Sequence, residues 1–375
     1  MRSVGFSLTL LAALAASATA STSTGARGKR MVAVGTYTNG REQGIFLYRW
    51  DDKTGALEAA GAISGLENPS FLAASPDGKR LYAVSETGAG SVAALAWQPD
   101  GALKLLNKQA SAGSYPCHLC IDKGGKLVMA ANYGSGTLVA LPVSGEGLAT
   151  ASCTVLHKGT GPNAQRQEGP HAHSINVDPT GRYAVACDLG TDQIIAYKLD
   201  AAGGRITQHS FAQAAPGAGP RHLAWHPGGK MAFVINEMGN TICSYRWDAD
   251  AGTLTQLGSA PTLAADFKGA STTAEVVVHP NGRFVYGSNR GEDTVVAMQV
   301  DTASGKLTVA GRVATGGKTP RNFVIDPTGK WMLAANQDSS SLVVFKLDPQ
   351  TGVPAPTGVT VSVPMPVCVR FVTAP

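Results

Sequence analysis

Glu237 follows Asn236, and Arg221 follows Pro220 sixteen residues upstream, across a turn centred on Gly229. A hairpin closed at Gly229 brings the carboxylate and the guanidinium to the same end of a strand pair. Arg290 follows Asn289 in the same way. His171-Ala-His173 has a spacing of two, which on a strand puts both imidazoles on one face. Imidazoles, a carboxylate and guanidinia that converge can move a proton while holding an anion. Arginine suits the second task because its fork is bidentate and stays charged.

Other chemistries lack their residues. No Gly-x-Ser-x-Gly elbow occurs, which excludes that route to a serine acyl-enzyme. Neither a Gly-rich phosphate loop nor a dinucleotide fingerprint is present, so no cofactor is expected. Cys117-His118-Leu119-Cys120 invites a metal reading. On a strand, however, positions 117 and 120 face opposite sides, and no second Cys/His pair stands at finger spacing. The six cysteines are read as small buried thiols, and no metal site is expected. Glu86, Asp188, Glu237 and His118 would be the set to assemble if a metal were held.

These residues sit on a repeat. An apolar run, a Pro/Asp-x-Gly-Lys/Arg turn, a second apolar run and a polar cluster recur, with turn glycines at Gly78, Gly125, Gly181, Gly229, Gly282 and Gly329. The mean spacing of about 50 residues divides the chain into about seven units. Each unit reads as four strands, for example 70–75, 80–85, 91–97 and 103–109. The C-terminal Pro366-Val-Cys-Val-Arg-Phe-Val is an opening strand without a unit. Met31-Val-Ala-Val-Gly-Thr-Tyr begins a unit without an opener. Joining them closes a ring and leaves no free sheet edge at the seam. The fold class is therefore all-β: a seven-bladed propeller over residues 31–375, with four-stranded blades and the C-terminal strand completing the N-terminal blade.

In such a ring, strand-one starts and strand-two ends line the channel mouth on one face. The starts carry His118, His171, His173, Arg221, His222, Glu275, Arg321 and Asn322. The ends carry Glu86, Tyr133, Asp188, Glu237, Arg290 and Gln337, and Tyr37 belongs to the composite blade. Asn132, Asn236, Asn289 and Asn336 recur at one place in four blades and read as a turn device, with Asp188 in the same class. His226 and His279 read as turn residues of the far face. The polar insertion 158–170, carrying Arg166-Gln167-Glu168, is long enough to fold over the mouth as a lid.

Composition fits this reading. Of 375 residues, 43% are hydrophobic and 15% charged, with 45 Gly and 21 Pro, which excludes a disordered chain. The net charge is +5 without any Lys/Arg run, so nucleic acid is not an expected partner. Residues 1–20 read as a signal peptide: Arg2, the apolar Val4 to Ala18, then Ala18-Thr19-Ala20 as cleavage site. A flexible mature N-terminus of 21–30 follows. The expected product is a periplasmic or secreted monomer with no stable membrane insertion after signal cleavage.

The segments Arg166-Gln167-Glu168-Gly-Pro-His171-Ala-His173, Gly219-Pro-Arg221-His222, Asn236-Glu237, Ser288-Asn289-Arg290-Gly291, Pro320-Arg321-Asn322-Phe and Ala335-Asn336-Gln337-Asp338 resemble, in order and blade position, the seven-bladed lactonase family. That family holds propeller-type 6-phosphogluconolactonases and fungal 3-carboxy-cis,cis-muconate lactonizing enzymes. Val34-Gly-Thr36-Tyr37-Thr and Gly44-Ile-Phe are similar to its opening motif. The resemblance implies His173, Glu237, Arg221 and Arg290 as the catalytic set. His171, Arg166, His222, Arg321, Asn322 and Gln337 are assigned to substrate binding, and the expected substrate is a small, anionic lactone of the sugar type. A muconate cycloisomerase and a non-catalytic ligand-binding propeller are the alternatives. A signal peptide departs from the cytosolic members that hydrolyse the phosphorylated sugar lactone, so the lactone chemistry transfers better than the substrate's name.

Overall fold

The computed structural model of the chain describes Met1, residues 30–145 and residues 147–374. The signal peptide read at 1–20, apart from Met1, and the tail read at 21–30, apart from Arg30, lie outside the described residues; Arg30 is not tail but opens the strand Arg30–Thr36.

Seven antiparallel sheets follow one another around a ring. The first blade runs Leu72–Ala74, Arg80–Ser85, Ser91–Trp97 and Leu103–Ala110. Its opener is shorter than the sequence suggests. The second blade carries an extra two-residue strand, Gly147–Leu148, before a short fourth strand at Cys153–Leu156. The other blades keep four strands. Pro366–Thr373 pairs antiparallel with Arg30–Thr36, Met31 facing Val372 and Val34 facing Val369, and so closes the ring at the composite blade.

Burial explains the strand composition. Second strands such as Leu127–Asn132, Met231–Asn236 and Trp331–Asn336 are buried at every residue. They are covered by neighbouring blades on both faces, so they read as unbroken apolar runs rather than as alternating ones. Outermost strands such as Leu103–Ala110 alternate, because one face meets solvent. Trp50 against Trp331 (6.2 Å) and Tyr183 against Trp247 (5.5 Å) fill two of the blade interfaces.

The far face is built from the six repeated turns. Their glycines all have positive φ, between 68° and 77°, which is why only glycine recurs there. The Asp326 carboxylate accepts the amides of Thr328, Lys330 and Trp331. In the fourth and fifth blades histidine takes that place. His226 Nδ1 accepts the Gly228 amide and Nε2 donates to Gly282 O, and His279 repeats the pattern with Asn281 and Gly329. Each histidine thus rivets its own turn to the turn of the next blade.

Candidate active site

The chemistry gathers at the opposite end of the ring. Pro116 pairs with Asn132, Ala172 with Asp188, Pro220 with Asn236 and Pro320 with Asn336, so strand-one starts and strand-two ends stand side by side. One residue further along, the register slips in each of these pairs: at Cys117, His173, Arg221 and Arg321. A bulge inserts an unpaired residue and re-aims its side chain. Three of the four, Cys117, His173 and Arg321, line a cavity of about 310 Å³ with Glu86, Tyr133, Arg166, Glu237, Thr272 and Arg290.

Arg221 lies behind Glu237. Its Nε donates to Glu237 Oε2 at 3.0 Å, and its Nη1 donates to Ala274 O at 2.6 Å. Arg290 Nη2 stands 2.9 Å from the same Oε2, while Arg166 Nη2 donates to Oε1 at 2.6 Å. His173 Nε2 is 3.9 Å from Oε2. Burial alone would raise the Glu237 carboxyl. Arg290, Arg221, His173 and the Arg166 hydrogen bond override it and hold Glu237 well below the usual carboxylate range. Desolvation, then Arg221 and His222, push His173 well below the usual histidine range, so at neutral pH its imidazole is uncharged. Burial likewise lowers Arg290 to about 10.

Three lining arginines face two lining carboxylates, with Arg221 beyond. Arg321 makes no hydrogen bond or ion pair among the described residues; its guanidinium carbon lies 5.4 Å from the centre of the Tyr37 ring. The Tyr37 hydroxyl donates to both Glu86 oxygens at 3.0 Å. The cavity therefore offers an unspent cation beside a neutral base.

A second tier lies beneath. His222 receives Arg221 Nη1 on Nε2 at 3.3 Å, so it is neutral with its proton on Nδ1, which donates to Glu275 Oε1 at 3.0 Å. Asn322 Nδ2 donates to Glu275 Oε2, and Asn322 Oδ1 accepts the Val369 amide. His222 and Asn322 are thus part of the floor supporting Arg221 and stand outside the cavity lining. Gln337 also stands outside it, with Nε2 donating to Asp338 at the rim.

His171 requires a correction. The strand begins at Ala172 and bulges at His173, so the two histidines do not share a face. His171 stacks on Tyr133 with ring centres 4.5 Å apart, and its nitrogens meet Tyr133 O and Glu168 Oε1. The mouth asparagines behave as the repeat-wide device: Asn132, Asn236 and Asn289 each donate to the hydroxyl of a threonine five residues on. Asp188 takes the same place with other partners, His157 Nδ1 at 2.5 Å and the His171 and Thr191 amides. The six cysteines are free thiols, but only Cys117, Cys187, Cys243 and Cys368 are buried, and Cys120 and Cys153 are partly exposed. Cys117 and Cys120 part company, the former in the cavity and the latter packed between the second and third blades. Among the described residues, no three of His, Cys, Asp and Glu converge as metal ligands.

Arg370 was not singled out by sequence. It lies over the Phe71 ring at 4.5 Å and reaches Asn322 Oδ1 at 3.4 Å, facing the second tier. An arginine inside the apolar Pro366–Thr373 strand was the available signal.

Residues 31–371 match the family described as "Lactonase, 7-bladed beta-propeller". The chain is 38% identical over 343 residues to the 6-phosphogluconolactonase of Bacillus subtilis, covering 90% of this chain and 97% of that one. It is 33% identical over 305 residues to the 6-phosphogluconolactonase of Formosa agariphila, covering 77% and 84% respectively. Among solved structures, the periplasmic gluconolactonase of Pseudomonas aeruginosa superposes with a TM-score of 0.86 at 31% identity, over 92% of this chain and 99% of that one. With these motifs on these blades, the chain belongs to the seven-bladed β-propeller lactonase family.

Proposed function

We propose that the protein hydrolyses a sugar-type lactone at the channel mouth, with His173 as the base. The observation that carries this reading is a neutral, cavity-lining imidazole 3.9 Å from a carboxylate held ionised by arginines. His173 takes a proton from water, and the water oxygen bonds to the lactone carbonyl carbon. Glu237 stabilises the imidazolium that forms, and Arg290 stabilises the oxyanion. The ring C–O bond then breaks, and the imidazolium returns its proton to the leaving alkoxide. The product is an open-chain hydroxy acid, neither oxidised nor reduced.

Export is part of the same proposal. The basic start, the apolar run and the Ala18-Thr19-Ala20 site support it, as does the similarity to the periplasmic gluconolactonase of Pseudomonas aeruginosa. Mass spectrometry of the secreted chain checks it: the expected mature N-terminus is Ser21, and a chain retaining Met1 contradicts it.

Acid release from glucono-1,5-lactone and from its 6-phosphate, followed by pH-stat near pH 6.5, tests the activity. A rate clearly above the uncatalysed background on either lactone is the expected result, and a rate equal to background on both overturns it.

A further inference from the structure

The three arginines on Glu237 are not held alike. Arg221 is 3% exposed and Arg290 14%, and each also donates to a main-chain carbonyl: Arg221 to Ala274 O, and Arg290 to Thr273 O at 2.7 Å. Arg166 is 39% exposed and has no such anchor among the described residues. Its other partner is the Tyr133 hydroxyl at 3.4 Å. Arg166 alone occupies Glu237 Oε1, whereas Oε2 receives the two fixed guanidinia.

The main chain beneath Arg166 is firm. Asn163 Oδ1 accepts the amides of Gln165 and Arg166, and the fully buried Gln167 side chain donates to Leu189 O and Asp192. So the turn stays in place while the long, half-exposed side chain can swing. Without another anion to meet, leaving Glu237 would forfeit a charge-assisted hydrogen bond. A second anion inside the same small cavity would compete for it. Arg321, which also lines the cavity, supplies the first landing point for that anion.

We propose that Arg166 is the specificity-determining residue of this site: it caps Glu237 until the phosphate or carboxylate of an anionic lactone draws it away, so charged lactones are turned over in preference to neutral ones. Once Arg166 has moved, Glu237 Oε1 is released and its charge faces the imidazolium forming on His173. A neutral lactone leaves the cap in place and meets a carboxylate already neutralised. This inference rests on the lactonase reading.

The test compares wild type with Arg166→Gln on glucono-1,5-lactone, its 6-phosphate and glucaro-1,4-lactone. Gluconate and 6-phosphogluconate are also titrated by calorimetry. Wild type is expected to favour at least one charged lactone by tenfold or more in kcat/KM, and the pair of charged lactones tells phosphate from carboxylate. In Arg166→Gln that preference falls to within about threefold, because the charged lactones lose more kcat/KM than the neutral one. Its acid limb moves to higher pH, because Glu237, which favours the His173 imidazolium, is no longer capped by Arg166. Arg290→Gln is expected to lower all three lactones alike. The preference of wild type for 6-phosphogluconate over gluconate is expected to fall at least fivefold in Arg166→Gln. A wild type that does not discriminate, or an Arg166→Gln that lowers every lactone in proportion, overturns the inference. If wild type hydrolyses no lactone yet the binding preference falls as stated, the lactonase reading fails while anion capture by Arg166 stands. If the lactones are hydrolysed but that preference is unchanged, only the role of Arg166 falls.

Discussion

At the scale of single residues, the site rests on one imidazole kept neutral and one carboxylate kept charged. Because burial and Arg221 depress His173, its base form persists to acidic pH. The acid limb of kcat/KM is therefore expected below the ordinary histidine value of about 6.5, and a limb at or above it contradicts the assignment. Glu237 favours the imidazolium, so Glu237→Gln lowers His173 further and removes the charge that stabilises it in the transition state. The expected outcome is a fall in kcat of about 10² or more, read by steady-state kinetics, with the acid limb moved to lower pH. Glu237 and Arg290 were legible because each follows its blade's turn asparagine and has no counterpart of its type in the other blades, and Arg221 because the hairpin closed at Gly229 sets it beside Glu237. Arg370 was not, because its partner Asn322 lies 48 positions away in the chain and meets it only once the ring has closed.

At the scale of elements, the bulge in the blade openers decides which side chains reach the cavity. The sequence pattern predicts alternation along a strand, and alternation places His171 beside His173; the slip at His173 separates them. Register irregularities carry no composition signal of their own. The 158–172 segment is pressed against Gly190, where a Cβ would lie 1.9 Å from Gly169 O and 2.8 Å from the His171 amide. Gly190→Ala is thus expected to displace the segment that carries Arg166 and to lower kcat/KM by about tenfold or more, since small misplacements at a reacting centre are costly; unchanged kinetics would contradict this. Asp188 ties the end of the second blade to the third through His157, whose Nε2 meets the Tyr197 hydroxyl at 2.7 Å. Asp188→Ala leaves buried donors unpaired and is expected to destabilise the fold by about 2–4 kcal/mol, seen as a lower midpoint in denaturant unfolding.

At the scale of the molecule, closure by Pro366–Thr373 joins the two ends of the chain. A chain truncated before Pro366 loses the innermost strand of one blade, along with Arg370 and the Val369 amide that holds Asn322. Loss of cooperative unfolding is expected, and a truncated chain with wild-type calorimetry would contradict the ring's dependence on the seam. Acid stability follows from the channel. His118, His173 and His222 are all buried with depressed pKa values, so in the folded state they bind protons less readily than in the unfolded one. Their contribution is intact above about pH 6.5 and is lost as pH falls below it. Glu275, raised by burial, acts with the opposite sign, recovering stability as it becomes protonated. Three groups outweigh one, and a Tm that falls between pH 7 and pH 5 is the expected result. The blade number and the seam were legible because turn glycines repeat at fixed places and the two end segments complement each other. The second tier was not, because it depends on which strand starts face one another across the channel.

The lactonase assignment is tested most directly by removing one imidazole. Acid release from glucono-1,5-lactone and its 6-phosphate would be followed by pH-stat near pH 6.5 for wild type and His173→Ala, with matched unfolding curves for both. The expected result is a wild-type rate above background that falls by about 10² or more in the variant while its fold is retained. A folded His173→Ala that hydrolyses either lactone as fast as wild type would contradict His173 as the base at this mouth.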